Sequence, residues 1–141
     1  MDEVLRLNTN FPALAAAFHR ASAFKRREAA RVAVEIVIAR TSLQGDLISE
    51  ALELLRRRAD PPRGLREHLD ALAARLDESY FDAADNGDAA SLTLFSSARA
   101  IAAVAYALSG DDKVLHEAIY EATVAIEDPA ELVQAVAHIL Q

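Results

Sequence analysis

Apolar residues recur at intervals of three and four along this chain, and this periodicity constrains its fold more than any other feature. The clearest stripe contains Leu65, Leu69, Leu72, Leu76 and Tyr80. Residues at this spacing share one face of an α-helix and can be buried together. No segment shows the alternation of period two that is typical of a half-buried strand. The sequence therefore predicts an all-α fold.

Turn signals divide the chain into six or seven helices. Proline is favoured in the first turn of a helix, glycine just after its end, and aspartate at its N-cap. On this basis we expect Gly45 to be the C-cap of the second helix and Asp46 to start the third. In chain order, there is one predicted helix for each of these segments: from Pro12, about residues 25–39, from Asp46, the Leu65 stripe, about residues 90–108, residues 114–126, and the segment after Asp128-Pro129.

Two segments are apolar on nearly every side, and we expect them to be the central helices of a compact bundle. Residues 32–38 are rich in β-branched side chains, so a strand is the rival interpretation, but the polar flanks of this segment favour a buried helix. Residues 89–110 are the segment whose composition is most similar to that of a transmembrane helix. Arg99 near their middle would cost about 2.5–3.5 kcal/mol on insertion, which favours a core helix.

Two helix pairs in the sequence resemble each other. Ala30-Arg31 and Ala98-Arg99 lie 68 residues apart, and Glu50-Ala51 and Glu117-Ala118 lie 67 apart, with a glycine turn inside each pair. The pattern suggests two related helical hairpins of the HEAT type. The alternative is a chance alignment of two alanine-rich helix pairs.

Composition favours one globular domain over residues 1–141. The chain is 52% hydrophobic and 26% charged, and it contains no cysteine. Disulfides, thiolate metal sites and cysteine nucleophiles are thereby excluded. The N-terminal sequence has no signal-peptide pattern, and we expect a cytoplasmic protein. Abundant alanine and the excess of arginine over lysine are typical of GC-rich bacterial genomes.

No motif for catalysis, metal or cofactor binding is present. His19, His68, His116 and His138 have no ligand spacing, and the four glycines are isolated, which excludes a phosphate loop. Residues 82–93 fail as a calcium loop because the third and twelfth positions lack a carboxylate. We therefore expect a protein that is not an enzyme and binds neither cofactor nor metal.

Charge is distributed unevenly along the chain. Residues 1–75 carry a net charge of +3, whereas residues 76–141 carry −10. A negative potential of this kind can steer a basic partner. The sequence therefore favours a protein-binding module, and by analogy of class an acidic bacterial immunity or antitoxin-type inhibitor. The candidate partner-binding residues are Asp77, Glu78, Asp82, Asp112, Glu117, Glu121, Glu127 and Glu131.

Two alternatives use other charged residues. Arginine clusters at residues 20–31 and 56–66 would suit a nucleic-acid-associated regulator, although the net charge of −7 argues against it. Glu35 and Arg99 are isolated charges on apolar helices. We expect them to form an interhelical ion pair, or, together with a histidine, part of an enzyme site.

Overall fold

A computed structural model describes residues 5–141 of the protein, and every regular element in that range is helical. The all-α prediction is confirmed. The eight α-helices are α1 (Arg6–Asn10), α2 (Pro12–Arg20), α3 (Ala23–Thr41), α4 (Asp46–Arg57), α5 (Leu65–Asp85), α6 (Ser91–Ala107), α7 (His116–Ala125) and α8 (Ala130–Leu140), with a 3₁₀ turn over Asp112–Val114. The count exceeds the expected six or seven because five-residue α1 is too short to show a periodic stripe.

Helices α3 and α6 form the centre of the bundle, as the sequence predicts. Helix α3 packs against α6, α7 and α8, while α6 packs against α3, α5 and α7. Residues such as Ala33, Val34 and Val37 are fully buried, and the buried side chains form a core to which all eight helices contribute. Small side chains at these positions let helix axes approach closely. Residues 32–38 are therefore helical and not a strand.

Helix α6 is a core helix. Ile101 and Val104 are almost fully buried, and the predicted role of this segment is confirmed. Among the helices within residues 5–141, none combines the length and the apolar character needed to cross a membrane.

Helix α5 is the outer layer of the bundle and packs chiefly on α6. Leu65 and Leu69 of its apolar stripe are buried, and Leu72 and Leu76 are partly buried against the same core. The opposite face of this 21-residue helix is exposed to solvent over its whole length. This arrangement presents the α5 side chains that form the candidate site.

The turn between α3 and α4 differs from the prediction. Helix α3 ends with its C-cap at Ser42, which has a left-handed φ of 56°, and Gly45 is instead the N-cap of α4 with a φ of 136°. The assignment of Gly45 as a C-cap was wrong because α3 extends to Thr41. There the threonine hydroxyl donates a hydrogen bond of 2.8 Å to the Val37 carbonyl.

The two helix pairs that resemble each other in sequence pack differently. Helices α6 and α7 lie against each other extensively, whereas α3 and α4 touch over a short length. Duplication of a hairpin therefore stays a hypothesis.

Candidate functional site

The basic and acidic halves of the sequence pair with each other in the fold. Arg26 contacts Asp112, with 3.0 Å between Nη1 and Oδ2, and Arg40 of α3 pairs with Glu131 of α8. Arg6 of α1 pairs with both Glu117 and Glu121 of α7. Three arginines of the N-terminal half thus pair with four acidic residues of the C-terminal half, and part of the contrast in charge is neutralised in the fold.

A buried carboxylate lies at the centre of the largest of these networks. Glu121 is only 3% exposed, and its Oε1 and Oε2 accept hydrogen bonds of 3.0 Å from Arg6 and Arg99 respectively. Arg99 also donates to Asp77 of α5 at 2.7 Å. Burial opposes the charged form of Arg6, but the hydrogen bonds to Glu117 and Glu121 outweigh it and raise the pKa of Arg6. This network joins α1, α5, α6 and α7, so its carboxylates are structural.

Glu35 belongs to a different network, and the hypothesis that it pairs with Arg99 was wrong. Each Glu35 oxygen accepts a hydrogen bond of 2.6 Å, one from Arg31 and one from Arg56. Glu35 thus ties α4 to α3, while Arg99 faces α5 and α7. The residue set considered for an enzyme site is not brought together.

Most arginines of the two basic clusters are engaged within the molecule. Arg31 binds Glu28, and this contact lowers the pKa of Glu28 and raises that of Arg31. Arg27 donates to the Gly110 carbonyl, and Arg58 pairs with Glu28 at 3.3 Å. Of the cluster residues, few remain available for phosphate contacts.

The four histidines differ in their burial. His116 is buried with its ring edge-on to Phe18, at 5.6 Å between centroids, whereas His19, His68 and His138 are exposed. In the part of the chain that the structure describes, no three metal-ligating side chains come together.

Three carboxylates near the C-terminal end of α5 have no ion-pair partner among residues 5–141. Glu78, Asp82 and Asp85 are exposed, and none of them forms an ion pair within residues 5–141. Their spacing of four and three places them on one side of the helix. Of the candidate partner-binding residues, Glu78 and Asp82 therefore stand together and are accessible.

The other candidate residues have different surroundings. Glu127 is exposed in the loop before α8, and Glu131 is exposed but paired with Arg40. The remaining four candidates, Asp77, Asp112, Glu117 and Glu121, are engaged by arginines. Glu121 is too deeply buried for a partner to contact.

An exposed aromatic side chain lies among the free carboxylates. Phe81 is 62% exposed, and its ring centroid lies 5.3 Å from that of Tyr80, which in turn is 5.4 Å from Phe95 of α6. These rings border an open pocket of about 360 Å³ that reaches Asp77 and Arg99. We define the α5 patch as the following residues: Glu78, Tyr80, Phe81, Asp82, Asp85 and Phe95.

Sequence reasoning missed Phe81 because it follows the last residue of the apolar stripe. The sequence does contain a signal for its exposure. Phe81 lies off the apolar stripe and has acidic residues three positions before it, one position after it and four positions after it. An aromatic residue on the polar face of an amphipathic helix lies outside the hydrophobic core.

The chain matches no protein-family model, no curated protein and no solved structure. The α5 patch is the surface feature on which a functional proposal can rest.

Proposed function

We propose that this chain is a non-enzymatic protein-binding module and that the α5 patch is its contact surface. The observation that carries the proposal is the exposed Phe81 ring, surrounded by carboxylates that have no ion pair within residues 5–141. Aromatic side chains at the centre of an interface supply much of its binding energy, and a polar rim shields them from water. The α5 patch has both features.

The partner that fits this surface is a basic protein. Glu78, Asp82 and Asp85 give the patch a negative potential, which speeds encounter with a positive surface and disfavours acidic competitors. Leu92, which is 75% exposed in the first turn of α6, adds apolar area near the same end of the α5–α6 hairpin.

Within this class we propose a cytoplasmic inhibitor of the bacterial immunity or antitoxin type, which covers a basic target. The support is an analogy of class: a small, acidic, all-helical chain without cysteine. The alternative, a nucleic-acid-associated regulator, has less support because most arginines of its two clusters bind carboxylates or carbonyls of the same chain.

The test is capture from a host lysate at about 150 mM salt, where surface charges still act at short range. We expect the wild-type chain to retain one basic protein in stoichiometric amount. The triple variant Phe81→Ala/Glu78→Lys/Asp82→Lys should reduce retention more than tenfold, because loss of a central aromatic residue alone costs about 2 kcal/mol.

The matched control is Glu50→Lys/Asp70→Lys, which changes the net charge equally at exposed positions away from the patch. This control should retain the partner. Equal loss in both variants would attribute capture to net charge and contradict the assignment of the patch. Retained nucleic acid that survives the triple variant would favour the arginine clusters instead.

A further inference from the structure

We propose that the α5 patch receives an arginine side chain of the partner, with the guanidinium stacked on Phe81 and paired with the Glu78 carboxylate. The inference rests on the proposed function and specifies the chemistry that the patch recognises. Three arrangements within the same chain supply the argument.

Arginines of this protein repeatedly stack on its aromatic rings. The guanidinium carbon of Arg58 lies 4.2 Å from the ring centroid of Phe24, that of Arg6 lies 4.3 Å from Tyr120, and that of Arg26 lies 4.7 Å from Phe18. A cation at this distance is attracted to the face of the ring.

Each of these stacked arginines also binds a carboxylate. Arg58 pairs with Glu28, Arg6 with Glu117, and Arg26 with Asp112. The recurring unit is thus a ring, a guanidinium and an acidic side chain. The carboxylate neutralises the charge of the guanidinium, while the ring covers one of the two apolar faces of the guanidinium.

The α5 patch contains two of the three parts of this unit. Phe81 is more exposed than Phe24, 62% against 55%, yet within residues 5–141 no arginine or lysine lies over the ring of Phe81, Tyr80 or Phe95. Glu78 lies one helical turn before Phe81 on the same side of α5, whereas Asp82, adjacent in sequence, lies further round the helix. Arg75, a further turn back, forms no ion pair with either of them. The missing part is a guanidinium from outside the described chain.

Arginine suits this surface better than lysine. The guanidinium is planar and weakly hydrated, so it stacks on a ring and binds a carboxylate through two donors at once. The lysine ammonium is a compact, strongly hydrated charge that gains less from either contact. The patch is therefore expected to discriminate between two side chains of equal charge.

The experiment compares hexa-arginine with hexa-lysine, each titrated into the ¹⁵N-labelled full chain at 150 mM salt. Both peptides carry the same charge, so the difference in affinity isolates the contribution of the guanidinium group. We expect saturable shifts of the amide signals of residues 78–85, with hexa-arginine about fivefold tighter, the effect of a cation–π contact at an exposed site.

Single substitutions show which residues produce this difference in affinity. Phe81→Leu should abolish the preference for hexa-arginine while leaving the affinity for hexa-lysine unchanged, and Glu78→Gln should weaken hexa-arginine severalfold. Phe24→Leu, which alters an exposed ring already covered by Arg58, is the matched control and should keep the preference. Equal affinities of the two peptides, or a preference that persists in Phe81→Leu, would overturn the inference.

Failure of the arginine site and failure of the proposed function give different results. A partner captured through the patch without any preference for hexa-arginine would overturn the arginine site alone. A clear preference with no captured protein would contradict the proposed function alone. A second copy of this chain could also supply the arginine, and sedimentation of the wild-type chain tests this. Self-association that Phe81→Leu abolishes would indicate that a second copy, and not another protein, occupies the patch.

Discussion

At the scale of single residues, Glu121 has the environment least tolerant of change. Its carboxylate is almost completely buried and joins arginines from α1 and α6. A buried ion pair gains little over apolar packing, but removing one partner leaves the other charges uncompensated. The sequence alone assigned Glu121 to a contact surface, because spacing shows which residues share a face and not how deeply that face is covered.

We predict that Glu121→Gln lowers the free energy of unfolding by about 2–3 kcal/mol, less than the full penalty of a broken buried pair because Arg6 is partly exposed. Urea unfolding followed by circular dichroism measures the change. Glu127→Gln, at an exposed position, should change stability by less than about 0.5 kcal/mol. Equal effects of the two substitutions would show that the network does not stabilise the fold.

Glu28 links stability to pH. Arg31 and Arg58 lower its pKa below the ordinary value of 4.5, so the unfolded chain binds a proton more readily than the folded chain does. The stabilisation is complete above pH 4.5 and is lost as the pH falls through the folded-state pKa. Wild type should therefore exceed Glu28→Gln in stability at pH 7, and the difference should shrink towards pH 3.

Urea unfolding of both proteins at pH 7, 5, 4 and 3 measures this difference. Glu50→Gln is the control, since this exposed carboxylate makes no ion pair within residues 5–141. A gap between wild type and Glu28→Gln that stays constant down to pH 3 would show that the ion pairs of Glu28 do not stabilise the folded state.

At the scale of the helix, the turn after α3 contains a conformational cost that a substitution can remove. Ser42 has a φ of 56°, a left-handed conformation that costs an L-residue about 1–2 kcal/mol. Ser42→Gly removes this cost but adds backbone entropy to the unfolded chain, about 0.5–1 kcal/mol. We predict a net stabilisation of about 0.5 kcal/mol, measured by urea unfolding.

Gly45 supplies the opposite case in the same turn. At a φ of 136° any Cβ is strained, although nothing lies within 4 Å of its position. Gly45→Ala should therefore destabilise the protein by about 1–3 kcal/mol through the backbone alone. If Ser42→Gly destabilised the protein instead, the left-handed assignment of the C-cap would be contradicted.

The sequence predicts most helices well because their signals are local. The break at residues 60–64 and the turn at residues 85–88 bound α5, and Pro12 starts α2, as expected. Signals fail where a helix is short or where a residue takes a conformation that its type disfavours. Helix α1 has five residues, and Ser42 adopts the left-handed conformation that glycine was expected to supply.

At the scale of the whole molecule, the charge asymmetry of the sequence has a structural explanation. The partners Arg26 and Asp112 are 86 residues apart, and Arg6 and Glu121 are 115 apart. No local pattern identifies such pairs. Part of the contrast between the two halves is therefore used in contacts between them, and the unpaired acids near the end of α5 are among those that remain for a partner. The α5 patch could not be predicted from the sequence, because the sequence does not show which helix forms the outer layer of the bundle.

These long-range pairs are not equivalent, and the last prediction separates them. Arg26 is largely buried, and its guanidinium donates to the carbonyls of Phe18 and His19, both at 2.9 Å, as well as to Asp112. It therefore joins α2, α3 and the turn before α7 and satisfies acceptors at the end of α2. Among the described residues, Arg40 binds only the exposed Glu131. Exposed pairs contribute at most about 1 kcal/mol, whereas hydrogen bonds from a charged group contribute about 1.5–3 kcal/mol.

We therefore predict that Arg26→Met lowers the free energy of unfolding by about 2–3 kcal/mol and Arg40→Met by less than about 0.5 kcal/mol, both measured by urea unfolding at 150 mM salt. Both variants lose one positive charge and keep a long apolar stem, so net charge and packing volume are matched. A double-mutant cycle with Asp112→Asn then isolates the part of the Arg26 effect that belongs to the ion pair. Equal, small effects of the two substitutions would mean that apolar packing alone holds the N-terminal and C-terminal halves together. The ion pairs between the halves would then add no measurable stability.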